Sequence, residues 1–296
     1  MIHYERCPVC GASTIHPVLE AKDYTVSGET FSIWHCDACT ARFTQDVPTK
    51  EAIGPYYQSD AYISHSDTKE GLVNRLYHQV REITLQSKRK LVQRASGKTN
   101  GHLLDIGCGT GAFLNTMHLS GWTVKGLEPD PGARKVAATR YNLSVDPTDG
   151  LFALPPASYD VITLWHVLEH VHDLRPYIDH FRQLLKPDGT LFIAVPNYTS
   201  LDAAHYGPTW AAYDVPRHLY HFSPKSMDHL LQPSGLRVTS LRPMWFDSFY
   251  VSMLSERYKH GRDNLIGAVL TGSRSNLKAL GNTARCSSVI YVIRPA

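Results

Sequence analysis

The chain has 296 residues, 43% hydrophobic and 19% charged, with a formal net charge of +3. That composition supports a full-sized core and excludes wholesale disorder, and so small a charge argues against a nucleic-acid binder that works by bulk electrostatics. The length exceeds one typical domain and suits an α/β domain with a small appendage.

The N-terminus, Met1-Ile2-His3-Tyr4-Glu5, has no apolar leader core, and no stretch reaches membrane-spanning length, so a cytoplasmic location is expected. In that reducing compartment six cysteines argue against disulfides. Four form two pairs, Cys7-Pro8-Val9-Cys10 and Cys36-Asp37-Ala38-Cys39, separated by the twenty-five residues typical of a closed four-thiolate zinc site. Residues 1–48 are therefore expected to form a zinc ribbon built from short strands. Cys108 and Cys286 stand alone and read as buried hydrophobes.

Residues 49–100 read as a linker and helical lid. An aromatic and polar stretch over 56–65 carries Tyr62 and His65, both expected near an acceptor. Leu72, Val73, Leu76, Val80 and Ile83 then recur at helical spacing, predicting one or two helices over 69–95 that stop at Ser96-Gly97. Within them, Lys88-Arg89-Lys90 reads as a solvated helix face.

From residue 101 to 296, short apolar runs alternate with helical segments, as in a mainly parallel sheet with crossover helices. Strands are predicted at 102–106, 122–128, 143–146, 159–165 and 190–195, then at 236–241 and 288–293 after and around an insertion at about 243–285. Helices are predicted over 112–120, 131–141 and 174–185.

The first strand runs into Asp105-Ile106-Gly107-Cys108-Gly109-Thr110-Gly111, a turn that lets a ligand approach the backbone, and the second ends in Glu128, placed to accept from both hydroxyls of a ribose. The spacing is Gly-x-Gly-x-Gly, not the Gly-x-Gly-x-x-Gly of dinucleotide sites, and Asp105 suits a cofactor with a cationic amino group. This pattern resembles the class I S-adenosylmethionine-dependent methyltransferases. The resemblance implies a Rossmann-like domain with a seven-stranded sheet, with Asp105, Gly107 and Gly109 around the methionine moiety, Glu128 on the ribose, Asp149 near the adenine, and S-adenosylhomocysteine as product. It extends through Ser158-Tyr159-Asp160-Val161-Ile162 and Leu185-Lys186-Pro187-Asp188-Gly189, which resemble the fourth strand and the turn before the fifth.

After the fourth strand comes Trp165-His166-Val167-Leu168-Glu169-His170. As a helix it would put residues 166, 169 and 170 on one face, and it spells an inverted metalloprotease signature that belongs in a helix interior rather than at a strand end. The Leu-Glu-His segment resembles that of quinone-pathway O-methyltransferases, some of which have an acid at the position of His166 and an associated metal. His166, which also borders the cofactor, or His170 is expected to be the base. Farther on, Asp214-Val215-Pro216-Arg217-His218-Leu219-Tyr220-His221-Phe222-Ser223-Pro224 packs a guanidinium, two imidazoles and two aromatic rings between its prolines, so His218 is expected to assist catalysis and Arg217, Tyr220 and His221 to hold the acceptor.

The expected activity is methyl transfer to a small molecule, with a saccharide hydroxyl as the leading acceptor because the cysteine pairs resemble the N-terminal segment of sugar-modifying methyltransferases. The other readings are an RNA-modifying enzyme guided by its ribbon and a cofactor-binding regulator without catalysis. No Asn-Pro-Pro-Tyr-like segment follows the fourth strand, which disfavours nucleic acid. Oligomeric state is not encoded legibly.

Overall fold

A computed structural model of the chain describes residues 1–58 and 72–296. Tyr62 and His65 lie outside the described residues. Near the N-terminus, β1 (Ile15–Lys22), β2 (Thr30–Cys36) and β3 (Arg42–Thr44) form an antiparallel meander. A 3-10 turn, Gly54–Tyr57, precedes the helix α1 (Leu72–Ser96).

The crossover series then begins with β4 (Gly101–Ile106), α2 (Ala112–Leu119), β5 (Trp122–Leu127), α3 (Pro131–Tyr141), β6 (Val145–Asp146), β7 (Tyr159–Trp165) and α4 (Leu174–Leu184). Local chemistry fixes the boundaries. Asp130 caps α3 by accepting from the N–H groups of Gly132 and Ala133, Pro131 occupies the first turn, and Asn142 ends the helix in a left-handed conformation. Strand β7 is buried along nearly its whole length, as a parallel strand covered on both faces must be.

The chain continues through β8 (Leu185–Pro196), α5 (Leu201–Tyr206), β9 (Tyr220–His221), α6 (Pro224–Leu231) and β10 (Leu236–Pro243). Two helices, α7 (Asp247–His260) and α8 (Leu265–Leu280), occupy the segment before β11 (Ser288–Pro295). Strand β8 begins earlier than its apolar run suggests. Its ladder with β7 pairs Tyr159 with Leu185, then resumes at Val161 and Thr190, so the polar residues 186–189 are absorbed as an irregularity within the strand.

The large sheet has the order β10-β11-β8-β7-β4-β5-β6, parallel from β8 to β6, with β10 and β11 antiparallel at one end. Because β4 leads to β5 on one side and lies against β7 on the other, the order reverses at the carboxyl end of β4, where such sheets open a ligand crevice. The small sheet has the order β1-β2-β3-β9. Its last strand comes from the far end of the chain, with Arg42 opposite His221 and Phe43 opposite Tyr220.

Lys88 departs from the expected solvated face. Its Nζ lies 4.4 Å from the centroid of the Trp165 ring, because α1 packs over the sheet with Val92 fully buried beside Leu103, Leu114 and Phe192.

Candidate active site

Three strand ends meet in the crevice. At the end of β4 the chain enters a turn in which Gly107, Gly109 and Gly111 all have positive φ, at 66°, 55° and 80°. A Cβ on Gly107 would stand 2.4 Å from Val167 Cγ2, so β7's following loop closes over that position. No heavy atom lies within 4 Å of a Cβ built on Gly109, which leaves open space against the backbone there. Gly109 N–H donates to Glu128 Oε2 at 2.9 Å and Asp130 N–H to Oε1 at 3.0 Å, so the carboxylate bridges the first turn and the second. A carboxylate has about four acceptor sites. Those left over suit a vicinal diol.

Asp105 is buried beneath the turn and accepts from Thr163 Oγ1 at 2.6 Å. Burial pushes its carboxyl up to about 7, against the Thr163 bond and the Lys88 charge. Asp149 stands on the 3-10 turn Thr148–Ala153 with its side chain 84% exposed, 3.5 Å from Lys50 Nζ.

The histidine segment at the end of β7 does not place its three polar residues on one face. His166 adopts φ 58°, which turns it out of the strand, and Leu168–His170 forms a single 3-10 turn. His166 Nε2 lies 2.8 Å from Asp247 Oδ2 and its Nδ1 3.3 Å from Glu169 Oε1. Burial lowers its basicity, but the Asp247 and Glu169 carboxylates outweigh that and push it up to about 10. His166 is thus an imidazolium at neutral pH, with no lone pair for a proton or a metal.

His170 faces the opposite way. Its Nδ1 is 3.0 Å from the Arg217 carbonyl and 3.1 Å from the Tyr57 hydroxyl, and its ring meets that of His218 edge-on at 4.6 Å. Burial and the neighbouring His218 bring His170 down to about 4, so it is neutral. The carbonyl fixes the proton on Nδ1 and leaves the Nε2 lone pair free. His218 Nδ1 is held in the same way, 2.9 Å from the Ala212 carbonyl. Donor atoms of Glu169, His170 and His218 all lie within 4.8 Å of one another, and Glu169 Oε2 is buried without a hydrogen-bond partner.

The rest of the segment 214–221 is packed inward. Arg217, fully buried, donates to Asp214 Oδ1 at 2.7 Å, Asp23 Oδ1 at 2.9 Å and the Tyr56 carbonyl at 2.8 Å. Burial would lower its basicity, but Asp214 and Asp23 outweigh that and raise it. Tyr220 is buried and donates to the His172 carbonyl at 3.1 Å, while buried His221 Nε2 is 3.1 Å from Thr44 Oγ1. These three are occupied with holding the ribbon and loop together.

The four paired cysteines converge. Cys7 and Cys39 Sγ atoms are 3.6 Å apart, as are those of Cys10 and Cys36, and all four lie within 4.8 Å. Tetrahedral zinc with Zn–S of about 2.3 Å requires edges of about 3.8 Å, so the donor set fits that ion. The two knuckles also share a backbone pattern. Cys7 N–H bonds the Ala12 carbonyl and Gly11 N–H the Cys7 carbonyl, while Cys36 N–H bonds Ala41 and Thr40 N–H bonds Cys36. Gly11 and Thr40, at φ 78° and 64°, make the equivalent left-handed turn.

Residues 78–241, more than half the chain, match the methyltransferase-domain family. The chain belongs to this family. It is an S-adenosylmethionine-dependent methyltransferase. It is 30% identical over 166 residues to the ubiquinone biosynthesis O-methyltransferase of Bartonella tribocorum, across 49% of this chain and 67% of that one. Against the mitochondrial ubiquinone biosynthesis O-methyltransferase of Mus musculus it is also 30% identical, across 50% of this chain but only 44% of that one. The methyltransferase therefore spans about two thirds of its bacterial relative and less than half of the mouse protein. A structure from Galdieria sulphuraria, assigned as a sarcosine dimethylglycine methyltransferase, superposes with a TM-score of 0.51 at 15% identity, over 81% of this chain and 90% of that one. Among the described residues, no helix of the methyltransferase is long and apolar enough to cross a membrane.

Sequence reasoning missed three polar residues of this methyltransferase. Asp247 lies 81 positions beyond His166 in the insertion, and Asp23 lies 194 before Arg217. Neither pairing has a local signal. Lys88 sat in view, inside a basic run that masked its inward direction.

Proposed function

We propose that this methyltransferase methylates a hydroxyl of a small molecule and that His170 is the base. The observation carrying this reading is the pair of imidazoles, His170 and His218, each with Nδ1 on a backbone carbonyl beside buried Glu169, with neutral His170 keeping the lone pair of its Nε2. In the crevice, Glu128 would hold the ribose diol, the open backbone at Gly109 would lie against the cofactor, and Asp105 would offset its positive charge. Asp149, at the rim, would cover the adenine edge.

Bound there, S-adenosylmethionine supplies a methyl group activated by a sulfonium. The chain's own residues then orient the acceptor and handle one proton. As the acceptor oxygen forms its bond to the methyl carbon and the carbon–sulfur bond breaks, the hydroxyl proton passes to His170 Nε2. His218 stacks edge-on to that ring and orients it, and the His166 imidazolium, tied to Asp247 and Glu169, holds the loop in place. Arg217, Tyr220 and His221 serve this loop as scaffold, a reassignment that follows from their burial and bonding.

The relatives' names support a hydroxyl acceptor, and the cysteine knuckles support a saccharide bearing it. We further propose that Cys7, Cys10, Cys36 and Cys39 hold one structural zinc ion. A labelled-methyl assay over a panel of saccharide hydroxyl, phenolic hydroxyl and amino acceptors tests the activity. His170→Ala should lower kcat at least a hundredfold on the accepted substrate, the usual size of a lost general base, with S-adenosylmethionine affinity unchanged. Equal turnover by His170→Ala would remove the base assignment, and methylation of only amino acceptors would remove the hydroxyl reading.

A further inference from the structure

Helix α8 is built inside out. The face it turns to the protein carries Ala268, Thr271, Gly272, Ser275 and Ala279, all buried. Its outer face carries Leu265, Ile266, Val269, Leu270, Leu277 and Leu280, between 52% and 76% exposed. The small inner face is what lets α7 approach closely, since a Cβ on Gly272 would stand 2.8 Å from Phe249 Cδ1. Leu265, Ile266, Val269 and Leu270 at the start of the helix, and Leu277 and Leu280 two turns farther on beyond Ser273, fall on one side of it and make an aliphatic face. Exposed Trp245 and Phe246 lead into α7, and Asn276 Nδ2 donates to the Trp245 carbonyl at 2.9 Å, which brings this aromatic pair beside α8. Apolar patches of this extent on a soluble surface mark an interaction site.

Charge selects the occupant. Every acid of the hairpin is engaged: Asp247 with His166, Glu256 with Tyr206 and Asn264, and Asp263 with Arg257. The cations Arg262, Arg274, Lys278 and Arg285 remain exposed, and on α8 Arg274 and Lys278 flank the stripe on one side. A second copy meeting this surface through a two-fold axis would set the same cationic patch against itself, with no acid of the hairpin to answer it. An aliphatic stripe with interfacial tryptophan and phenylalanine and a basic flank is the chemistry of a helix that lies in a headgroup layer.

We propose that the α7–α8 hairpin docks the enzyme on an anionic lipid surface, with α8 in the interface plane and its aliphatic stripe toward the acyl chains. Docking is peripheral and reversible, and it holds whatever the methyl acceptor is. It also sets the catalytic crevice close to the lipid, because Asp247, the first residue of α7, is the residue that pairs with His166.

Flotation of the full chain with vesicles of phosphatidylcholine alone, or mixed equally with phosphatidylglycerol, tests the proposal. The protein should float with the anionic vesicles and not with neutral ones, and added salt should release it. The double variant Ile266→Glu/Leu270→Glu and the double variant Arg274→Glu/Lys278→Glu should each lower the bound fraction at least about tenfold, while keeping the melting temperature and S-adenosylmethionine affinity of the parent. Absence of flotation with both vesicle types overturns the proposal. So does undiminished flotation of the two variants. A dimer in sedimentation velocity that Ile266→Glu/Leu270→Glu dissolves, without vesicle binding by the parent, assigns the stripe to a second copy and equally overturns it.

Discussion

His166 and Asp247 meet at 2.8 Å across 81 positions of sequence, joining the loop after the fourth parallel strand to the first residue of the inserted hairpin. The pair makes His166 a cation at neutral pH and draws Asp247 below the usual carboxylate range, as the imidazolium outweighs the effect of burial. A histidine whose folded pKa is raised stabilises fully below its unfolded value near 6.5 and loses that contribution as pH rises through its folded value, here about 10. Wild type should therefore exceed Asp247→Asn in stability by about 2 kcal/mol at pH 6, and the gap should close progressively between about pH 6.5 and 10. Urea unfolding of both proteins across that range measures it. A gap that widens on the alkaline side would show that the pair is not ionic.

Asp105 leads to a second pH dependence. Its carboxyl titrates at about 7 because burial opposes its charge, with Lys88 and Glu128 as the charged neighbours. A cationic ligand beside it favours the ionised form, so binding should release a proton. S-adenosylmethionine affinity should rise several-fold from pH 6 to pH 8 and become nearly flat with pH in Asp105→Asn. Calorimetry in buffers of different ionisation enthalpy would count the released proton directly.

Zinc should be bound at about one ion per chain and be needed for the ribbon's fold. Chelation or Cys36→Ser should lower the melting temperature and should also impair methyl transfer. The second effect follows from β3, which pairs with Tyr220–His221 and hydrogen-bonds the His218 carbonyl through Thr44 Oγ1 at 2.7 Å. Metal analysis together with activity before and after chelation checks both. Full activity in a zinc-free, melted ribbon would show that the catalytic loop stands without it.

Arg217→Met should cost about 3–5 kcal/mol, since it leaves Asp23 and Asp214 as a pair of partly or wholly buried carboxylates without their cation. Denaturant midpoints give the loss. In the fraction that remains folded, KM for the acceptor should be unchanged, and a rise in KM with stability intact would return Arg217 to the acceptor pocket.

What the sequence made legible was local. The glycine turn, Glu128 nineteen residues beyond Gly109, and the two cysteine knuckles each announce themselves within a few residues, because backbone approach and thiolate spacing are short-range demands. Periodicity likewise marked β4, β5, β7 and β11 closely. The histidine segment was harder to read. Its three polar residues share a face only if the segment is helical, and a left-handed φ at His166, a conformation that non-glycine residues seldom adopt, divides them. The polar density around Arg217 was visible, but which groups it satisfies depends on Asp23, brought near by the tertiary fold. The buried small-residue face of α8 was equally hidden, because the sequence marked only an insertion there and not which face of a helix packs inward.

The ribbon's fourth strand has a consequence for biogenesis. Residues 1–48 carry every cysteine of the proposed zinc site and are made well before Tyr220–His221, the strand that closes their sheet. At ribosomal rates of about 5–20 residues per second, roughly ten to thirty-five seconds separate β3 from β9. During that interval the nascent ribbon holds an unsatisfied edge, with Phe43 awaiting Tyr220. Metal capture on the ribosome would let the knuckles form early and keep that edge in register until the rest of the enzyme arrives.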